Sequence, residues 1–277
     1  MSGPALNTVL QQLRGLVRPP DGGLTDAQLL TRWLANRDEA AFELLVWRHG
    51  PTILGVCQRL LRGAQDIEDA FQATFLVFLR KATTIGKHEA VASWLYKVAY
   101  RVALQARLRS SRQKLLDGRD VLIPAPATAD TVAWSDVRLV VDDEISRLPV
   151  RWRTVFVLCC LQGRTNEEAA RELGVPTGTV LSRLSRARAR LRSRLTRRGV
   201  TLTAGLVGAG WAAEASASVP VSLVNYTMKA VLLGAAQQAA AAGLVTAQVA
   251  ALTKGALHAM WLTKVQTTAA VVLSVAL

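Results

Sequence analysis

Cysteine and histidine are scarce in this chain of 277 residues, three of each. Cys57, Cys159 and Cys160 lie in apolar helical surroundings, with no CxxC pair and no histidine at metal-ligand spacing. They read as buried reduced thiols, which argues against a zinc site and fits a cytoplasmic protein. His49, His88 and His258 are scattered singly. No Ser/His/Asp set, glycine-rich phosphate loop or paired carboxylates can be assembled, so the chain does not read as an enzyme and no metal or cofactor is expected. Long apolar runs are also missing. The terminal stretch Thr267 to Leu277 has eleven residues, whereas a bilayer-spanning helix needs about twenty. The amino-terminal MSGPALNTVLQQLRGLVRPP has no continuous apolar core behind a positive start, so it reads as a frayed or disordered lead rather than a secretory signal.

Acid is the other deficit: 20 Asp and Glu stand against 34 Lys and Arg, a formal charge of +14. The imbalance is uneven. Residues 200–277 hold Lys229, Lys254 and Lys264 against Glu214, a net +2, which leaves +12 to residues 1–199. A polyanion partner is therefore expected for the first part of the chain, and arginine clustered with Ser and Thr favours DNA over an anionic membrane.

That clustering is densest in LQGRTNEEAARELGVPTGTVLSRLSRARARLR, residues 161–192. Thr165 is a plausible N-cap, Glu167 and Glu168 occupy the first turn where the helix dipole favours acid, and Ala169, Ala170 and Leu173 form an apolar face. Gly174 ends the helix, Val175 can plug the angle and Pro176 can precede the next helix, capped by Thr177 or Thr179. Val180, Leu184, Ala187 and Leu191 recur at the helical period, leaving Ser182, Arg183, Ser185, Arg186, Arg188 and Arg190 to flank or oppose that stripe. Eight arginines and no acid lie between Thr177 and Arg198. A merely solvated helix mixes signs to gain i,i+4 pairs, so the pattern reads as a DNA-reading helix-turn-helix.

Elsewhere the period is again helical, and the fold class expected is all-α. PPDGG at 19–23 separates the lead, 1–24, from a first unit at 25–116. Its helices are expected at Asp26 to Asn36, from an Asp38 cap to about Leu61 with Pro51 inside, at Ala64 to Lys81, and at about Ala90 to Leu116. DGRDVLIPAPATAD has no helical period, so 117–130 reads as a flexible linker. Periodicity resumes for a second unit at 131–198, with a break at Pro149. Beyond it, 199–277 is rich in Ala, Val, Leu and Gly. It reads as an Ala-rich helical hairpin packed on the second unit or on another copy, with membrane contact as the lesser alternative.

Two helices of the first unit differ in sign. In SWLYKVAYRVALQARLRSSRQK, from Ser93, Leu95, Val98, Val102 and Leu108 suit burial, while Lys97, Arg101, Arg107, Arg109, Arg112 and Lys114 add six positive charges without an acid. Trp94, Tyr96 and Tyr100 lie among them, and rings interleaved with cations suit unpaired bases, although Trp94 and one of the tyrosines also fit a core. In AQDIEDAFQATFLVFLRKA, Phe71, Phe75, Leu76 and Leu79 face inward and Gln65, Asp66, Glu68, Asp69 and Gln72 form an acidic surface. It is either an ordinary helix start or a docking face for a basic protein.

These three stretches, in this order, resemble RNA polymerase sigma factors of the extracytoplasmic-function (ECF) type in the sigma-70 superfamily. DIEDAFQATFLVFLRKA is similar to the helix that binds the polymerase clamp, SWLYKVAYRVALQARLR to the promoter-melting helix, and residues 161–191 to the family's helix-turn-helix. The resemblance spans about 25–198. It implies a region 2-like unit and a region 4-like unit, with core RNA polymerase and promoter DNA as partners, and it leaves room for an anti-sigma factor or other regulatory partner. Asp66, Asp69, Gln72 and Phe75 match the clamp-binding pattern, Phe75 more plausibly as core. Lys87 and His88, in the loop from Thr84 to Glu89, with Trp94, Lys97, Tyr100, Arg101 and Arg107 match the part that meets the minus-10 element. Thr177, Thr179, Ser182, Arg183, Ser185, Arg186 and Arg188 match the minus-35 contacts. The chain departs from the family at Leu181, where a basic residue is common, at Tyr100-Arg101, where Arg-Asn is frequent, and at Ala73, which replaces a common acid. Residues after 200 lie outside the minimal two-domain protein.

The function expected is therefore transcription initiation by a cytoplasmic sigma factor. Its rivals are a helix-turn-helix regulator working without core polymerase and a membrane-associated interaction protein acting through the tail.

Overall fold

A computed structural model describes residues 23–85, 91–116, 129–200, 219–233 and 245–260, without the side chains of 114 and 129–136. Among these residues the regular elements are all helical. Helix α1, Asp26–Asn36, starts with a capping box: the Thr25 hydroxyl accepts from the Gln28 N–H, and the Gln28 side chain accepts from the Thr25 N–H. The reciprocal bonds satisfy two N–H groups that a bare helix end would leave open. Helix α2, Glu39–Leu60, starts on the Asp38 carboxylate, 3.1 Å from the Ala41 N–H, and continues through Pro51. Helix α3, Ala64–Lys81, has no side-chain cap and passes into a single 3₁₀ turn, Ala82–Thr84. Helix α4 spans Val91–Leu116.

Helices α2, α3 and α4 pack around one another, with α1 laid on α2. Trp33, Phe42, Phe78 and Trp94 form a chain of tilted ring contacts at centroid distances of 4.8, 5.5 and 5.8 Å. Such edge-and-face contacts favour one packing over generic oil-like burial. Trp94 therefore belongs to the core. Of the two readings open for that residue, the ring is used for packing and is not displayed to solvent.

The second unit begins with helix α5, Ala129–Ser146, two residues before the boundary expected at 131. Helix α6, Val150–Phe156, follows Pro149, whose missing N–H costs nothing at a helix start. A π turn, Val157–Leu161, leads to helix α7, Asn166–Leu173, and helix α8, Thr177–Arg197. The expected linker lies outside the described residues except for its last two positions, which are helical.

The two units are in contact and share one apolar core. Asp142 of α5, fully buried, receives Arg59 at 2.6 and 3.0 Å and the Tyr96 hydroxyl at 2.6 Å. Arg153, 1% exposed, donates to Ser93 at 3.0 Å and to the Ser146 and Leu148 carbonyls. A second polar contact joins α7 to α1 and α2. Asp26 donates its N–H to Glu172 at 2.7 Å and holds Arg48 and His49 at 2.7 and 2.9 Å, while the His49 Nδ1 meets the Gln162 amide at 2.9 Å. Burial alone would raise the Asp26 carboxyl, but His49 and Arg48 outweigh it and bring its pKa down to about 2.

The tail contributes helix α9, Val221–Leu232, and helix α10, residues 247–260. Helix α9 packs on α2 and α3, so the tail covers the first unit and not the second as expected: an apolar period shows which face of a helix is buried but not which partner buries it. Gly50 of α2 makes room for the link into α9, since a Cβ there would sit 2.9 Å from a Val219 methyl. Helix α10 buries Val249, Leu252, Thr253 and Ala256. No helix among the described residues is long and apolar enough to cross a membrane.

Candidate nucleic-acid interface

The helix-turn-helix is built as its residues dictate. The Thr165 hydroxyl accepts from the Glu168 N–H at 3.1 Å and the Glu168 carboxylate accepts from the Thr165 N–H at 2.8 Å. Gly174 then takes a left-handed conformation, φ +61°, which an L side chain rarely adopts. The Val175 N–H closes the turn on the Ala170 carbonyl at 3.1 Å. Pro176, with extended backbone, precedes α8. Neither Thr177 nor Thr179 caps that helix: Pro176 holds the cap position without a side-chain hydrogen bond, and Thr177 is already the first helical residue.

Val180, Leu184, Ala187, Leu191 and Leu195 of α8 are buried against the rest of the unit. The remaining faces point outward. Ser182, Ser185, Arg186, Arg188, Arg190 and Arg192 are exposed, and Thr177, Thr179 and Arg183 are half-buried. Leu181 stands half exposed, at 50%, beside Ser182. The Ser182 hydroxyl donates to the Thr179 carbonyl at 3.0 Å, and the Arg188 guanidinium reaches the Cys160 sulfur at 3.7 Å. The last turns differ from the first. Arg194 pairs with Glu144 at 2.9 Å, and Arg198 pairs with Glu144 at 2.8 Å and Asp143 at 2.9 Å. The arginine run is thus split between an outward-facing portion and a portion that ties α8 to α5.

The first unit places its candidate residues differently. Lys87 and His88 lie outside the described residues. On α4, Lys97 and Arg101 are half-buried and Arg107 is exposed. Tyr96 is fully buried, and half-buried Tyr100 donates its hydroxyl to Asp143 at 3.2 Å. Burial, with Asp143 next in weight, pushes the Tyr100 hydroxyl up to about 12, so it remains a donor at neutral pH. The face expected to hold unpaired bases is thus overlaid by α5. Leu95, Val98 and Val102 are buried as the period requires, whereas Leu108 is exposed.

On α3, Phe75 is fully buried and Gln72 half-buried. Asp69, expected at the surface, is 2% exposed. Its carboxylate accepts from Gln65 at 2.9 Å and bonds the Thr246 side chain of the tail. Burial raises its pKa against those two bonds. Asp66, one helical turn away, accepts from the Gln248 amide of α10 at 2.7 Å. The cysteines carry no activated thiol. Burial pushes Cys57 up to about 12 and Cys159 up to about 11, and raises Cys160 as well.

The contacts missed by sequence reading are the buried polar ones: Asp26, His49, Arg59, Asp142, Arg153, Gln162 and Glu172. Their only prior sign was acid in DDE, 142–144, beside a chain otherwise rich in arginine.

Comparison with known proteins gives matches along the same stretches. Residues 45–113 match the family description "Sigma-70 region 2" and residues 138–191 match "Sigma-70, region 4". The chain is 34% identical to the ECF RNA polymerase sigma factor SigM of Mycobacterium tuberculosis over 167 residues, covering 60% of this chain and 83% of that one. It is 28% identical to the RNA polymerase sigma-H factor of Pseudomonas aeruginosa over 174 residues, covering 59% of this chain and 90% of that one. Among solved structures, the sigma factor RpoE bound to the anti-sigma factor NepR, from Bartonella quintana, is 25% identical with a TM-score of 0.26, over 55% of this chain and 93% of that one.

Proposed function

We propose, from the premise that this chain belongs to the extracytoplasmic-function family of RNA polymerase sigma factors, that its two helical units divide the work of initiation between them. The protein binds core RNA polymerase, recognises promoter DNA and promotes strand opening. It acts in the cytoplasm and by binding alone, with the chemistry left to the polymerase.

Helix α8 enters the major groove at the minus-35 element. Ser182, Ser185, Arg186 and Arg188 meet base edges and phosphates, Arg183 flanks them, and Thr177 and Thr179 lie near phosphates at the helix start, where the dipole favours anions. An exposed apolar side chain such as Leu181 fits a thymine methyl better than a phosphate. Arg194 and Arg198 are structural, since their charge is spent on α5. In the first unit, Lys97, Arg101 and Arg107 follow the backbone of the opened strand, with Lys87 and His88 near the captured base. Tyr100 joins them only when its bond to Asp143 is given up. Trp94 supports that surface from inside and does not stack on DNA. Asp66, Asp69 and Gln72 form the acidic face for core polymerase, with Phe75 beneath it in the core. An anti-sigma factor is a further partner of this class of protein.

The observation that carries this reading is the acid-free outer face of α8, held at a helix-turn-helix angle by Gly174. Run-off transcription with purified core enzyme over a genomic fragment library tests it. A promoter-dependent product that requires this protein is expected. DNA binding to an operator without any association with core polymerase would instead identify a regulator of the rival class.

A further inference from the structure

We propose that the tail is an intramolecular ligand of the polymerase-binding face, so that α10 and core polymerase compete for the same residues of α3. The inference rests on the assignment of Asp66, Asp69 and Gln72 to core binding made above. Three observations bring the tail to that face. The Gln248 amide donates to Asp66 at 2.7 Å, and the Thr246 side chain hydrogen-bonds Asp69. The apolar side of α10 is seated: Val249 and Leu252 are fully buried and Ala256 nearly so. Further along α10, Gly255 is so close to α4 that the Gln105 side-chain amide fills the space its Cβ would take.

The chemistry of the cover suits its task. A basic partner would offer cations to the α3 carboxylates, and the tail offers them neutral donors instead. Neutral donors satisfy the carboxylates without the strength of a charge-assisted bond, so the cover is displaceable by a partner that brings charge. Helix α9, on α2 and α3, anchors the tail beside the same face. Binding to core polymerase is then reduced by the fraction of molecules in which the cover is closed.

A disulfide staple in the full-length chain tests the competition. Gln105→Cys with Gly255→Cys joins α4 to α10 at a point outside the residues assigned to polymerase contact, and linkage is verified by mass. The oxidised protein should bind core polymerase at least about tenfold more weakly than the same protein reduced. Val249→Asp in the otherwise native full chain provides the opposite test by placing a charge in a buried seat of α10, and it should bind core more tightly than the unaltered protein. If the oxidised and reduced forms bind alike and Val249→Asp brings no gain, the tail does not compete and the proposal is overturned while the sigma-factor assignment stands. If no form binds core polymerase, the assignment itself falls and the competition with it.

Discussion

Helix α8 turns Ser182, Ser185, Arg186, Arg188, Arg190 and Arg192 to solvent, whereas the corresponding surfaces of the first unit are overlaid by other parts of the same chain. Ser185 and Arg186 are exposed, but Tyr96 and Tyr100 are bonded to α5 and Asp66 and Asp69 to the tail. On the roles proposed above, the difference follows from the kind of ligand each surface takes. A rigid duplex can be met by a preformed convex helix, so exposure there costs little. Unpaired bases call for aromatic groups, which are favourably buried until the strand arrives, whereas the α3 carboxylates stay covered because the tail supplies them with hydrogen-bond donors. On that proposal, the half that meets duplex DNA is open and the other is closed.

The contrast is most sharply broken at the joint between the units. Asp142→Ala removes a fully buried carboxylate from the Arg59 guanidinium and the Tyr96 hydroxyl, and should cost about 3 to 5 kcal/mol in urea unfolding. Arg147→Ala is its control. That residue pairs with Asp143 through a side chain 58% exposed, and its loss should cost under about 1 kcal/mol. Equal effects would mean that the units are not held together by the buried pair.

Acid acts on the other joint. The Asp26 carboxyl has its pKa lowered in the folded protein from an ordinary 3.8 to about 2, so its contribution is complete above the ordinary value and is lost as pH falls toward the folded one. The stabilisation at stake is about 2 kcal/mol. Denaturant midpoints of the native protein and of Asp26→Asn should therefore converge over about two units of acidification, as pH falls from the ordinary 3.8 toward about 2. A constant gap across that window would show that Asp26 is not the titrating group.

The smallest effect sharpens the account of the DNA-reading half. Thr165→Ala breaks an observed capping box and should lower stability by about 1 kcal/mol, while Thr177→Ala should cost under about 0.5 kcal/mol because Thr177 caps nothing. Thermal unfolding of the two variants separates them.

These variants also mark what was legible in the sequence. Thr165, Gly174 and the stripe Val180, Leu184, Ala187 and Leu191 act through neighbours a few residues away, so local spacing was enough to place them. The ends of α3, with acid in the first turn and Arg80-Lys81 in the last, were equally readable. The cap of α8 was misread because Pro176 starts a helix without a side-chain bond, and two nearby threonines imitated a cap. Asp69 was misread for a different reason. A carboxylate near a helix start looks solvated until a distant segment supplies donors, and Thr246 lies far along the chain. Asp142 and Arg59 are likewise 83 positions apart. Such pairings leave no periodic trace, and the closed arrangement of the units rests on them.

The division of labour is tested most directly by footprinting a promoter in complex with core polymerase and either the native chain or Arg186→Ala. Native protein should protect an upstream and a downstream stretch. Arg186→Ala should lose the upstream protection and keep the downstream one, at a cost of about 1 to 3 kcal/mol in duplex affinity. Loss of both stretches together, or of neither, would contradict it.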